Sequence, residues 1–150
     1  MEIIRTNGCD ERFFLLCQKL DEYLDYIVGG KKQRSQYVQY NTLEDIHDVV
    51  LIVDKENLVG CGSFKRYEEE VAEIKRVFVD ESYRGRKCGL AIMKELEIIA
   101  REKGYKKLIL ETGKPLWQAA HLYEGLGYKV INNYGPYIHM EDSICMEKLL

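Results

Sequence analysis

Hydrophobic positions along the chain keep two different rhythms. Between about Asp10 and Val28, residues Phe13, Leu16, Cys17, Leu20, Leu24, Ile27 and Val28 recur at helical spacing. Asp10 is placed to cap the start of this helix, and Gly29 with Gly30 to stop it. Before it, Glu2 to Arg5 reads as a short strand. After it, GGKKQRSQYVQYNTLEDIHD is the least regular part of the chain. Val49 to Val53 and Leu58 to Tyr67 are rich in β-branched and aromatic residues and flank a turn at Asp54 to Asn57, which predicts an antiparallel hairpin. A second turn at Glu68, Glu69 and Glu70 leads into VAEIKRVFV, Val71 to Val79, as a third strand.

That third strand changes its parity. Ala72 and Ile74 are apolar at even positions, whereas Val77 and Val79 are apolar at odd ones. A strand that keeps one face on the core can do this only by inserting an extra residue, so the pattern predicts a β-bulge between about Lys75 and Val77. DESYRGRKCG then forms a basic, Gly-containing loop, and LAIMKELEIIAREKG returns to the helical rhythm through Ile92, Met93, Leu96, Ile99 and Ala100. A strand over Lys107 to Thr112, a helix and turn over Ala119 to Val130, and a last strand in SICMEKLL complete the pattern.

Composition narrows the class. A chain of 150 residues with 46% hydrophobic and 31% charged residues suits one compact domain spanning 1–150, without disorder, repeats or linkers. Its formal charge of −3 gives no overall pull toward nucleic acid or acidic membranes. Apolar runs are strand-sized, and the N-terminus shows no secretory pattern, so neither membrane insertion nor export is expected. The five cysteines and three histidines show no ligand spacing, so no metal is expected and reduced thiols in a cytoplasm are the simplest reading.

The loop between the third strand and the following helix carries the candidate chemistry. A basic loop that opens directly into a helix offers unpaired N–H groups and the positive end of the helix dipole, a place suited to phosphate. RGRKCG, Arg84 to Gly89, fits neither a Walker loop nor a dinucleotide loop. It resembles the pyrophosphate loop of the GNAT acetyltransferase superfamily, Gln/Arg-x-x-Gly-x-Gly/Ala, with Arg84 and Gly89 in the first and last positions and Lys87 where the middle glycine stands. LILETG at Leu108 to Gly113, AAHLYEGLGYKV at Ala119 to Val130, YGPY at Tyr134 to Tyr137 and the terminal SICMEKLL resemble further pieces of the same family, in family order, and the last two are similar to a bacterial small-molecule or amino-acid acetyltransferase subgroup.

The resemblance implies an α/β fold with a mixed, mostly antiparallel sheet of about six or seven strands and about four helices. It also implies an N-acetyltransferase that moves acetyl from acetyl-CoA to the amine of a small molecule by direct attack. A protein amine as acceptor, or a module that senses acyl-CoA without catalysis, are the alternatives. Cosubstrate contacts would come from Val77, Phe78 and Val79, from Arg84, Gly85, Arg86, Lys87, Cys88, Gly89 and Leu90, and from Thr112, Ala119 and Tyr123. Leu116 stands where many relatives carry an asparagine for the pantetheine arm. Glu73 matches the strand glutamate that many members use as general base, with an ion pair to Lys75 or Arg66 as the competing role. Tyr123 matches the tyrosine that protonates the departing thiolate, with a core aromatic as the competing role. Lys65, Arg66, Lys75 and Arg76 lie on neighbouring strands, where charge must be paired or wet; with Tyr40, Glu111 and Tyr137 they are candidates to meet the acceptor. Dimers are frequent in the family, which allows a homodimer.

Overall fold

The computed structural model describes residues 1–27, 43 and 45–150. Seven strands form one sheet: β1 (Glu2–Thr6), β2 (Asp48–Asp54), β3 (Asn57–Glu68), β4 (Val71–Val79), β5 (Lys107–Gly113), β6 (Lys129–Ile131) and β7 (Ser143–Leu149). Their order is β1-β2-β3-β4-β5-β7-β6, and every neighbouring pair is antiparallel except β4 with β5. Three α-helices lie among the described residues: α1 (Glu11–Ile27), α2 (Cys88–Glu102) and α3 (Trp117–Gly125). About four were expected. The expected stop of α1 at Gly29 and Gly30 and the acceptor candidate Tyr40 lie outside the described residues.

Each helix sits where its apolar stripe dictates. Asp10 accepts the Arg12 N–H at 2.9 Å and so caps α1, which packs Phe13, Leu16, Cys17 and Leu20 against Val49, Leu51, Cys61 and Phe78. On the opposite face, Ile92, Met93, Leu96, Ile99 and Ala100 of α2 meet Val50, Ile52, Phe64, Ala72, Ile74, Leu108 and Leu110. Strand β2 is buried on both faces, which explains why VVLIV reads as a continuous apolar run. The close fit of α2 depends on Gly62: a Cβ there would lie 2.4 Å from Ile92 Cγ2 and 2.9 Å from Leu96 Cδ1. Ion pairs from Arg5 to Glu102 at 2.7 Å and from Lys148 to Glu97 at 2.9 Å fix the outer side of α2 to distant strands. No helix among the described residues is long and apolar enough to cross a membrane.

Two departures from regular sheet geometry prepare a site. The expected bulge is present: Cys61 pairs with Phe78 and Ser63 with Lys75, so Arg76 and Val77 together oppose Gly62. Arg76 takes a left-handed φ of 59° to achieve this. Carbonyls displaced by the bulge are recaptured by side chains, Lys75 O by Ser63 Oγ at 2.6 Å and Arg76 O by Cys61 Sγ at 3.3 Å. The second departure lies between β4 and β5, which pair only at Val71 with Lys107, Ala72 with Leu108 and Glu73 with Ile109. Beyond Glu73 the two strands part.

Candidate active site

The parting strands open a groove of about 690 Å³. Its floor is the free edge of β4 at Val77 and Val79; one wall is α1 through Leu20, Tyr23 and Leu24, and the other is α3. Asp80 N–H bonds Val59 O at 2.8 Å on the β3 side, so the preceding Val79 carbonyl points the other way, into the groove. There it accepts Arg84 Nε at 3.2 Å.

One end of the groove is the start of α2. Ala91 N–H bonds Lys87 O at 3.1 Å, which leaves the N–H groups of Cys88, Gly89 and Leu90 ahead of the helical ladder. No acidic residue occupies the first turn and no side chain caps it. Lys87 itself has φ 62°, a left-handed conformation that explains why the family pattern favours glycine at this point. Gly89 eases the approach of α3: a Cβ would sit 3.1 Å from Leu122 Cδ2 and press on that side chain. The Arg84 guanidinium lies 4.5 Å from the centre of the Tyr23 ring, joining the loop to α1, and Arg86 lies over Tyr83 at 5.3 Å.

At the other end, Tyr123 is shared between the groove and a smaller cavity of about 130 Å³. This cavity lies on the α1 side of β4 and β5, where the 3₁₀ turn Gly135–Tyr137 continues the cover beyond the helix. Glu73, with 6% of its side chain exposed, lies 3.5 Å through Oε1 from Lys75 Nζ and accepts the Tyr134 hydroxyl at Oε2, 2.6 Å away. Lys75 Nζ also donates to Tyr137 Oη at 3.3 Å. Glu111, from β5, accepts Ser143 Oγ at 2.7 Å. Tyr67, Tyr134 and Tyr137 stack edge to face around the cluster, with centroids 5.3 and 5.6 Å apart.

Burial governs the ionisation of these groups. It raises the Glu111 carboxyl above the ordinary value, against the Ser143 hydrogen bond, and lowers the Lys75 ammonium. Tyr123 is pushed well above an ordinary phenol by burial and then by the charge of Glu111. Cys145, across from Glu111 on β7, is raised by burial to about 11 and stays a thiol.

Most of the sequence-predicted contacts meet in these two spaces. Val77, Phe78, Val79, Arg84, Gly85, Lys87, Cys88, Gly89, Leu90, Ala119 and Tyr123 line the groove, and Thr112 lines the small cavity. Arg86 turns instead to a surface hollow beside Lys19 and Asp80. Lys75, Glu111 and Tyr137 line the small cavity with Glu73, whereas Lys65 and Arg66 line neither space. Arg76 reaches the cavity wall, yet its guanidinium is held by α1, through Asp21 Oδ1 at 2.9 Å and Cys17 O at 3.0 Å, partners within the chain rather than the acceptor it was a candidate to meet. Sequence reasoning missed Tyr23, Tyr83 and Trp117, which line the groove. Tyr23 shares the α1 stripe with Leu20 and Ile27, and the lone tryptophan follows Pro115 at a strand-to-helix junction, so both carried a signal.

A groove between splayed strands, closed by a helix start at one end and a buried tyrosine at the other, defines a class of acyl-CoA-dependent transferase. The chain belongs to the acetyltransferase (GNAT) family, whose model matches residues 13–128. It is 30% identical over 151 residues to an IAA acetyltransferase of Azospirillum brasilense, covering 99% of this chain and 97% of that protein. It is 36% identical over 78 residues to a glucosamine 6-phosphate N-acetyltransferase of Trypanosoma brucei brucei, covering 52% and 51% of the two chains. Among solved structures, a Klebsiella pneumoniae protein assigned as an acyl-CoA N-acyltransferase superposes with a TM-score of 0.80 at 29% identity, covering 99% and 97%. The PaiA N-acetyltransferase of Thermoplasma acidophilum, solved with coenzyme A, has the same fold, with a TM-score of 0.75 at 20% identity over the full length of both chains. The protein is thus an acetyl-CoA-dependent acyltransferase.

Proposed function

We propose that the protein transfers acetyl from acetyl-CoA to the amine of a small molecule by direct attack, without a covalent acyl-enzyme. The observation that carries this reading is the continuity of the two spaces through Tyr123. In this reading the pyrophosphate rests on the N–H groups of Cys88, Gly89 and Leu90 beside Lys87 and Arg84, where helix dipole and cations act together. The pantetheine arm runs along the free edge of β4, its amides pairing with Val77 and Val79 as an added strand would. Leu116 removes one polar contact to that arm, and Trp117 supplies apolar cover at the same place.

The acetyl carbonyl then lies by Tyr123, and the acceptor amine enters from the small cavity. Amines are protonated near neutral pH, so a carboxylate of that cavity must take a proton before attack. Among the described residues, Glu73 and Glu111 are the carboxylates that line it. Tyr123, its phenol held protonated across the working range by burial, donates to the leaving thiolate.

A screen of amines, amino acids and small peptides with acetyl-CoA, followed by free thiol release, tests the reading. Acetyl-CoA-dependent thiol release with at least one amine is expected; binding of acetyl-CoA without release across the panel would favour a sensing role. Tyr123→Phe is expected to lower kcat by about 10²-fold, the usual scale for losing an acid catalyst, with coenzyme affinity by calorimetry unchanged.

A further inference from the structure

Among the described residues, the primary amine that lines the small cavity belongs to Lys75, whereas Lys87 stands at the far end of the groove. Alternation along β4 sends Ala72 and Ile74 into the core beneath α2 and places Glu73 and Lys75 on the opposite face, that of the cavity. The bulge begins directly after Lys75, and the Ser63 hydroxyl donates to the Lys75 carbonyl at 2.6 Å. The backbone is thereby held just past the place where β4 and β5 part. The Lys75 side chain, 9% exposed, lies 3.5 Å from Glu73 Oε1 and donates to the Tyr137 hydroxyl at 3.3 Å. Burial lowers its ammonium, and Lys65 on β3 acts in the same direction, while Glu73 on β4 and Glu111 on β5 act against them.

Resting on the acetyltransferase reading above, we propose that Lys75 is itself an acetyl acceptor: with acetyl-CoA bound and no amine in the cavity, the protein acetylates its own Lys75 side chain. The argument is one of proximity. A thioester carbonyl beside Tyr123 would share a cavity of about 130 Å³ with the Lys75 nitrogen. A nucleophile held so close reacts as though it were present far above any concentration reached in solution. Desolvation also favours the free amine, the form that attacks, over the ammonium that exposed lysines keep at neutral pH.

The steps balance. The Lys75 ammonium gives a proton to water, and the nitrogen lone pair bonds the thioester carbonyl carbon as the carbonyl pair moves to oxygen. Collapse breaks the carbon–sulfur bond; sulfur leaves with that pair and takes the surplus proton from nitrogen. The products are a neutral acetyl-lysine side chain and the thiol of CoA. The new amide keeps an N–H for the Tyr137 hydroxyl but carries no charge for Glu73, whose buried carboxylate loses its Lys75 cation and retains the Tyr134 hydroxyl. The acetyl group takes up space that the acceptor would enter. Self-acetylation thus closes the cavity when acetyl-CoA is plentiful and acceptor scarce, and leaves the coenzyme groove intact.

The test is mass-spectrometric mapping of the wild type after incubation with acetyl-CoA alone at neutral pH. Lys75 is expected to gain acetyl at least about tenfold faster than the half-exposed Lys19 and Lys103, a small fraction of what proximity can supply. Saturating CoA, which brings no acetyl group, is expected to suppress the label at Lys75 and spare it at the other two. A Lys75 that stays unmodified, gains acetyl no faster than Lys19 and Lys103, or is labelled regardless of CoA overturns the proposal. Lys75→Arg keeps a cation beside Glu73 and cannot take the acetyl group. Preincubation with acetyl-CoA should cost the wild type acceptor turnover in proportion to Lys75 occupancy, and should leave Lys75→Arg at the rate it began with. The mapping uses no variant, so it decides even if Lys75→Arg is inactive or fails to fold. Thiol release with an amine of the panel and no label on Lys75 would sink self-acetylation and leave the small-amine reading standing; label on Lys75 with every amine refused would do the reverse.

Discussion

Glu111 is held where water stabilises its charge poorly, so its folded-state pKa lies above the ordinary 4.5. Such a group favours the folded state below its unfolded pKa and loses that contribution as pH rises through the folded value. Glu111→Gln should therefore melt higher than the wild type at neutral pH, and the gap should close as pH falls below about 4.5, where both side chains are neutral; melts by circular dichroism across that window check it. Lys87 is a second residue whose two duties conflict. Its left-handed φ of 62° costs about 1 kcal/mol relative to glycine, while the residue lines the end of the groove proposed for the pyrophosphate. Lys87→Gly should weaken CoA binding by roughly two- to fivefold, the scale of an exposed ion pair, with a shallower salt dependence in calorimetry. The melting temperature should hardly move, since relief of strain is offset by the freer unfolded chain. At this scale the sequence was partly readable. The loop residues Arg84, Gly85 and Lys87 to Leu90, which line the groove, are almost contiguous, so their shared placement could be read in the text of the chain. Arg76 with Asp21, and Glu73 with Tyr134, are joined across 55 and 61 positions, and nothing local in RVFV or YGPY names such partners.

Among the elements, β4 does most to shape the site. Its bulge was legible because side chains alternate with period two, and the shift from Ala72 and Ile74 to Val77 and Val79 breaks that count. The hairpin of β2 and β3 and the capped start of α1 were legible for the same reason, being local patterns of periodicity, turn and cap. The width of the opening was not, because it depends on how α2 and α3 seat on the sheet, and that is a matter of contacts between glycines and distant side chains. Gly62 is the clearest case. Gly62→Ala would drive a methyl group into Ile92, whose branched Cβ allows it little retreat, and should cost about 1–3 kcal/mol by overpacking. Because Ile92 lies in the second turn of α2, the displacement reaches the helix start. Denaturant unfolding should show the loss of stability, and calorimetry a weaker CoA affinity in the same variant.

For the molecule as a whole, the decisive fact is that the sheet is joined across its middle at three residue pairs, Val71 to Glu73 with Lys107 to Ile109. On one side of that join stand β1 to β4 with α1, and on the other β5 to β7. Amides at Val77 and Val79 should exchange hydrogen rapidly in the free protein and become protected when CoA is added, whereas amides of β2 should be slow in both states. Mass-spectrometric hydrogen exchange with and without the coenzyme reads both sets at once. On one face α2 packs across both halves, so the narrow join is one of the sheet's own ladder, and a coenzyme seated between β4 and β5, as proposed, would act as a splint as well as a reactant. On the proposed reading stiffness would become a record of occupancy: the protein would be most pliant in the interval between releasing one coenzyme and seizing the next, and proteases, heat and destabilising substitutions should find it most vulnerable in that interval.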